Sequence, residues 1–557
     1  MRISAQSLLS CLCGLNLLTT TCLAELKALP RTKLSSLLDI TLEELQAGLN
    51  AGYFTSVDLV RAYVARTGEV NDKLRAVLEI NPDAEVIARK LDAERQQGHR
   101  RSPLHGIPVL VKDNIATHDS MNTTAGSFAL LGACVGEDST VAARLRDAGV
   151  IILGKTNMSQ WSGLRSLKCP QGWSARGGQT VGAYFPGHNP QGSSSGSAVA
   201  ASIGLAWASI GTETTSSLVG PAHANNIVGI KPTVGLTSRH LVIPLSRRLD
   251  SVGPMARTVK DAAYLLNAIA GPDDKDNYTS AIPFNTLPDY VEACRPGGLR
   301  GKRIGVVRNY FDMEDEPDKT AVLSLAAFNS SLKVLAKLGA EVIDGIYFPN
   351  LKEYAQSPYH AYCIMSDFRD HLYAHYTRHL KTNPNGVFTL KNLHRFVREN
   401  TLEGYPDYDT LFWDLALSVA PLENSPSFWG NHTYIFELIG TRGVSAAMQK
   451  HSLDAIYMPS LYAGLVASIS GTPVVTVPLG ASPIDSPFVA GPPRDKTNVV
   501  GPNHPFGVGF LGPSFSEESL IMMAYAFEQE TRIRQLVRPW MQPYTELVDV
   551  LRRRPGR

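Results

Sequence analysis

Ser217 closes a polar turn, Gly211-Thr212-Glu213-Thr214-Thr215-Ser216-Ser217, and a second serine-bearing turn, Gly192-Ser193-Ser194-Ser195-Gly196-Ser197, lies upstream. A serine hydroxyl attacks a carbonyl only when a base takes its proton and N–H donors meet the developing oxyanion. The chain between the turns is a run of small residues, Ala198-Val199-Ala200-Ala201, followed by the strand-like Trp207-Ala208-Ser209-Ile210-Gly211. About ten helical residues rise ~15 Å, and about six strand residues return ~20 Å the other way. Both turns are therefore expected at the same end of the unit, beside a helix N-terminus with free N–H groups. Without a base nearby, the same composition would serve equally well to reverse the chain or cradle a phosphate.

Lys112 is the candidate base. It ends the apolar run Gly106-Ile107-Pro108-Val109-Leu110-Val111 and is followed by Asp113 and Asn114. Burial there disfavours the ammonium form and can leave a neutral amine near pH 7. The competing reading is a strand-end lysine whose head reaches solvent. A second constellation, His371, His375 and His379 with His360 upstream, has the spacing of one helical face and could hold a metal. No carboxylate-bearing His-Glu motif accompanies it, and positions four and eight apart drift around a helix. The expectation is a solvated face without metal.

The elements that must position these groups alternate. Thr41-Leu42-Glu43-Glu44 is a capping-box pattern opening one helix, and Thr55-Ser56-Val57-Asp58 opens another. Apolar runs at 107–111, 150–153, 303–307, 341–343, 455–458 and 474–477 predict strands, with helices over 139–148, 319–338 and 516–536. Such alternation indicates an α/β protein with a sheet buried on both faces. The Gly/Ser/Pro-rich stretch 162–195 predicts a long functional loop leading into the first serine turn. Residues 354–440, rich in Tyr, Phe and Trp, read as a helical insertion over the core.

With 557 residues, 44% hydrophobic and 19% charged, and a net charge of +2, the chain shows no electrostatic bias toward nucleic acid or anionic membrane. Met1-Arg2, the apolar Leu8–Leu18 and the small-residue end Cys22-Leu23-Ala24 predict a secretory signal peptide, 1–24, cut after Ala24. The mature protein is then secreted and extracellular, with no membrane attachment expected. Asn122, Asn157, Asn277, Asn329 and Asn431 stand in glycosylation triplets. The cysteines left after cleavage, Cys134, Cys169, Cys294 and Cys363, allow a disulfide without requiring one.

Together these residues resemble the amidase signature family, in its peptide-amidase-like and fungal branch. The pattern is Lys112 after an apolar strand, then Gly192-Ser193-Ser194-Ser195-Gly196-Ser197, then the turn ending at Ser217. Further matches are Gly172–Gln179, Gly229–Leu236, Asp250 with Gly253–Val259, and Ala526-Phe527-Glu528-Gln529. The likeness covers roughly 37–271 and 453–534. It implies a single large three-layer αβα domain, 25–557, with a mixed central sheet; its core spans about 37–350 and 441–540, and the insertion about 354–440.

The resemblance also implies roles. Ser217 attacks a carboxamide, Ser193 relays its proton across a cis peptide bond, and neutral Lys112 is the ultimate base. Backbone N–H groups from Thr214, Thr215, Ser216 and Ser217 form the oxyanion hole, and Ser194 supports Ser193 by hydrogen bonding. No metal or organic cofactor is needed, and the partner is a small or peptide-like amide. Two departures stand out. Thr215 and Ser216 replace the acidic or amide residue and Gly usual before the nucleophile, and Leu218-Val219-Gly220-Pro221 lacks an arginine some members carry next. Alternatives to a hydrolase are a silent member acting as a binding protein, and an acyltransferase using the same acyl-enzyme. A subunit supplying ammonia to transfer-RNA amidation conflicts with the leader. Oligomeric state is not legible.

Overall fold

Short apolar runs become the strands of one mixed sheet in the computed structural model, which describes residues 35–313, 319–491 and 496–553. The expected signal peptide, residues 1–24, lies outside the described residues. In chain order the strands are β1 (Val77–Ile80), β2 (Pro108–Lys112), β3 (Ile151–Thr156), β4 (Ala208–Glu213), β5 (Val228–Lys231), β6 (Ser251–Ala256), β7 (Arg303–Val307), β8 (Glu341–Ile346), β9 (Ala455–Pro459), β10 (Val474–Ala481) and β11 (Pro505–Leu511). Their spatial order is β1-β3-β2-β4-β6-β5-β10-β11-β9-β7-β8. Near the site β2 runs parallel to both β3 and β4, whereas β4, β6, β5, β10 and β11 pair antiparallel in turn. Strands β2, β3, β4, β5, β6, β9 and β11 are buried along their whole length, as a sheet covered on both faces requires.

The α/β class and the mixed central sheet with helices on it match the expectation, and both N-terminal helices carry complete capping boxes, Thr41 with Glu44 and Thr55 with Asp58. Strands β1, β5, β6 and β11 were not legible as strands. Glycines interrupt β5, β6 and β11 at points of close approach: a Cβ at Gly253 would lie 2.0 Å from Ile230 O, and one at Gly509 2.7 Å from Ala463 Cβ.

The small-residue helix Ser195–Ser202 is buried throughout. Three arginines hold its carbonyl end. Arg257 Nη1 donates to Ala201 O at 3.0 Å, Arg534 Nη2 to Ser202 O at 2.7 Å, and Arg66 to Ile203 O and Gly204 O at 2.9 and 2.7 Å. Guanidinium charge there complements the helix dipole and satisfies carbonyls that have no partner within the helix.

Residues 351–436 form helices Leu351–Gln356, Tyr359–His375, Leu390–Glu399, Leu411–Ser418 and Pro426–Phe436. The segment also contributes a short strand, Leu380–Thr382, paired with Cys134–Val135. Part of its aromatic set packs inward, whereas Tyr373 and Trp429 are exposed. Trp413 and Phe368 meet Trp161 with centroids 6.2 and 6.0 Å away. Glu403, fully buried, accepts from Ser127 Oγ, Phe128 N and Gln160 Nε2 and pairs with buried Arg165 at 3.3 Å. That ion pair fastens the helical segment to the core. All four cysteines among the described residues are unpaired. Among the described residues, no helix is long and apolar enough to cross a membrane.

Candidate active site

Strand β2 delivers Lys112 to the sheet centre, where it is 0% exposed. Its Nζ lies 2.7 Å from Ser193 Oγ, 3.0 Å from Ser194 Oγ, 2.9 Å from Thr212 Oγ1 and 3.3 Å from Thr212 O. Burial pushes the amine down to about 7, against the pull of nearby Asp250 and Glu213. The desolvated reading of Lys112 holds, and the solvent-reaching one does not. Lys155 on β3 is also buried and lowered to about 8, yet it bonds Ile115 O and Thr123 Oγ1, away from the serines.

The two serine turns meet, as the helix-and-strand geometry requires. Ser194 N donates to Ser217 O at 3.0 Å, and Ser159 N donates to Ser193 O at 3.1 Å. The Gly192–Ser193 peptide bond is cis. Ser193 is 2% and Ser217 8% exposed. Ser194 departs from expectation: it serves Lys112 instead of Ser193. Its Oγ donates to Thr212 O at 3.0 Å and accepts from Thr212 N at 3.2 Å, so it faces Lys112 as an acceptor.

The turn that carries Ser217 is anchored by groups the sequence reading did not single out for this purpose. Buried Glu213 accepts from Leu218 N and Val219 N, both at 2.8 Å. Thr214 Oγ1 donates to Asp250 Oδ1 at 2.5 Å, while Asp250 Oδ2 accepts from Leu245 N and Ser246 N at 2.9 and 3.1 Å. Burial lifts the Asp250 carboxyl to about 6. Motif membership of Glu213 and Asp250 was the only sequence signal for these anchors.

Ser216 adopts φ +54°, a left-handed conformation that suits Gly far better than Ser. Its N–H donates to Ser468 Oγ at 3.2 Å. That donor is committed to the helix Ser460–Ser470, a correction to the expectation that all four N–H groups from Thr214 to Ser217 face an oxyanion. Thr215 Oγ1 lies 3.3 Å from His360 Nε2.

The histidine set does not share one helical face. His371 and His375 lie on the helix Tyr359–His375, whereas His379 follows on a separate turn. His371 is buried, not solvated: its Nε2 is 3.2 Å from Glu423 Oε1. Asp367, His371 and Glu423 bring ligand atoms together, but the Arg248 guanidinium bridges Asp367 and Glu423 and already supplies the positive charge.

The chain is similar to known proteins over most of its length. A family model described as Amidase matches residues 58–521. A relative from Arthroderma benhamiae that carries the name "Putative amidase" is 45% identical over 92% of this chain and 89% of its own. Native peptide amidase from Stenotrophomonas maltophilia superimposes with TM-score 0.80 at 37% identity, covering 91% of this chain and 99% of that one. An amidase family protein from Bacillus anthracis gives TM-score 0.79 at 31% identity over 90% and 93% of the two chains.

Proposed function

Because the chain belongs to the amidase family and is a hydrolase acting on amide bonds, we propose that Ser217 is its nucleophile, Ser193 the proton relay and Lys112 the ultimate base. The observation that carries this reading is the 2.7 Å contact between Lys112 Nζ and Ser193 Oγ in a buried site. Hydrogen accounting supports its direction. Ser194 spends its one hydroxyl hydrogen on Thr212 O, so it can only accept from Lys112. Thr212 Oγ1 already accepts from Asn114 Nδ2 at 3.0 Å and lies 2.9 Å from Nζ. A neutral amine places its two N–H bonds on Ser194 and Thr212 and keeps its lone pair for the Ser193 hydroxyl hydrogen.

In the reaction, Ser217 Oγ bonds to the amide carbon as its proton passes to Ser193 Oγ and the Ser193 proton passes to Lys112. Thr214, Thr215 and Ser217 supply the N–H groups left for the oxyanion. As the C–N bond breaks, the proton returns through Ser193 to the leaving nitrogen. Water then attacks the acyl-enzyme by the same relay and releases the acid. No metal or organic cofactor takes part. The likeness to a peptide amidase supports a peptide-like or small carboxamide substrate. A fluorophosphonate probe tests the nucleophile: wild type is labelled and Ser217→Ala is not, whereas no labelling of folded wild type favours a silent binding protein. Product analysis with added amine separates hydrolysis from acyl transfer.

The leader supports secretion of the mature chain, which then begins at Glu25. Exposed Asn277 and Asn329 suit glycan attachment, whereas buried Asn157 is bonded to Arg75 O, Gly178 O and Thr180 Oγ1. Mass analysis of secreted protein, before and after deglycosylation, tests both; a retained residue 1–24 refutes cleavage.

A further inference from the structure

A cavity of about 480 Å³ opens between the loop that carries Arg239 and Arg247, the segment 274–277 and the C-terminal end of the helix Tyr359–His375. No residue of either serine turn lines it, nor does Lys112. Arg239, Arg247, Lys275 and Arg378 bring four cations to its wall, and Asp274 brings one carboxylate. Behind the wall, Asp276 takes both Arg239 and Arg247. Glu137 takes Lys275 and His240, and Asp273, close by, is answered by Arg144. Five cations therefore meet four carboxylates, and Arg378 has no carboxylate partner among the described residues.

The hydrogen bonds of the imidazoles lean the same way. Arg247 Nη1 lies 2.8 Å from His375 Nδ1, and Arg378 Nε donates to His379 Nε2 at 3.1 Å. A guanidinium has no acceptor, so both ring nitrogens receive, and the ring hydrogens sit on His375 Nε2 and His379 Nδ1. Arg247 Nε is buried with no partner among the described residues. Burial, with Arg247, His371 and Arg378 alongside, pushes the His375 imidazole down to about 3. Guanidinium donors here go to neutral rings or to nothing, where an ionised acceptor would hold them better. Side-chain acceptors in the wall are few: Asp274, Asn277 Oδ1 and the Nδ1 of a neutral His240.

We infer that this cavity binds a polyvalent oxyanion of phosphate or sulfate type, at a site separate from the serine turns. Such a group is built of acceptors and carries more charge than a carboxylate, so its oxygens meet the N–H groups that lack an ionised partner. The space lies in the range of small-molecule sites and exceeds what one tetrahedral ion fills. The site stands independently of the amidase chemistry.

Equilibrium dialysis against labelled pyrophosphate tests it, at constant ionic strength, with phosphate, sulfate and acetate as competitors. Asn277→Gln, which keeps any glycan off the rim, is run beside wild type. Saturable binding is expected in the Asn277→Gln protein, displaced by phosphate or sulfate at least tenfold more effectively than by acetate. The better of those two competitors names the source of the group. In the same background Arg378→Gln and Lys275→Gln should each weaken binding at least threefold, and the pair at least tenfold. Lys337→Gln, an equal loss of charge on the helix Lys319–Lys337 outside this wall, should leave it unchanged. No saturable binding in either protein overturns the inference. So does equal weakening by Lys337→Gln and Arg378→Gln, which marks screening by the whole surface, or unchanged affinity in the folded Arg378→Gln, Lys275→Gln pair.

Discussion

Ser216 Oγ occupies the space that a side chain on residue 464 would need: a Cβ built on Gly464 falls 2.5 Å from it and 3.1 Å from Val219 Cβ. Gly464 sits inside the helix Ser460–Ser470, where glycine costs about 1 kcal/mol relative to alanine. The missing methyl lets a serine stand in the left-handed position next to Ser217. Gly464→Ala should displace Ser216, lower kcat at least tenfold and destabilise the fold. Ser216→Gly should change stability by no more than about 1 kcal/mol, because relief at φ +54° offsets the entropy of a freer unfolded chain. In the double variant, part of the kcat loss should return, with the contact to Val219 limiting the recovery. Urea unfolding and kcat across the four proteins measure the coupling, expected at about 0.5–3 kcal/mol.

As the proposed base, Lys112 should set a pH dependence of activity. A base lowered to about 7 is half neutral there, so kcat/KM should rise through about pH 7 and level off above it. Lys112→Ala should lose at least a hundredfold in kcat while Ser217 remains in place.

The same depressed pKa makes stability rise with pH as well. The folded Lys112 pKa is depressed from 10.5 to about 7, so between those values the unfolded chain holds a proton that the native chain does not. The Lys112 contribution therefore becomes more favourable as pH rises from about 7 to 10.5, and it is a net cost at neutral pH. Lys112→Met should raise Tm at pH 7 while abolishing turnover. A lower Tm at pH 7 refutes the buried neutral amine.

Arg257→Ala removes the donors to Ala201 O, Ala206 O and Ile40 O, all in the interior. Leaving buried carbonyls unpaired costs about 1–3 kcal/mol each. Chemical denaturation should show a loss of at least that size. kcat should fall too, because the helix Ser195–Ser202 starts beside Ser193 and Ser194.

Glu403→Gln leaves Arg165 buried without its counter-charge, a change of about 3–5 kcal/mol for an ion pair cut on one side. Limited proteolysis should then cut first within the helical segment 351–436.

The groups proposed to carry out the chemistry were legible because each stands at a sequence boundary. Lys112 ends an apolar run, Ser193 opens a small-residue helix, and Ser217 closes a turn after a strand. Chain geometry alone placed the two turns together, and the bond from Ser194 N to Ser217 O bears this out. Strands such as Val228–Lys231 and Ser251–Ala256 were not legible, because their glycines answer to neighbours far away in sequence, as Gly253 does to Ile230. The anchors of the Ser217 turn share that cause. Asp250 and Ser468 reach it only after the sheet has assembled. His371 read as solvated since helical spacing says nothing of Glu423 across from it.

The enclosure of Lys112 also has a kinetic side. An amine with no surface in contact with solvent trades hydrogen with bulk water only by way of its hydroxyl neighbours. In the proposed relay, the hydrogen it takes up during one bond-making event is thus retained for the next. External buffers have no direct path to it, and varying their concentration at fixed pH should leave the rate flat.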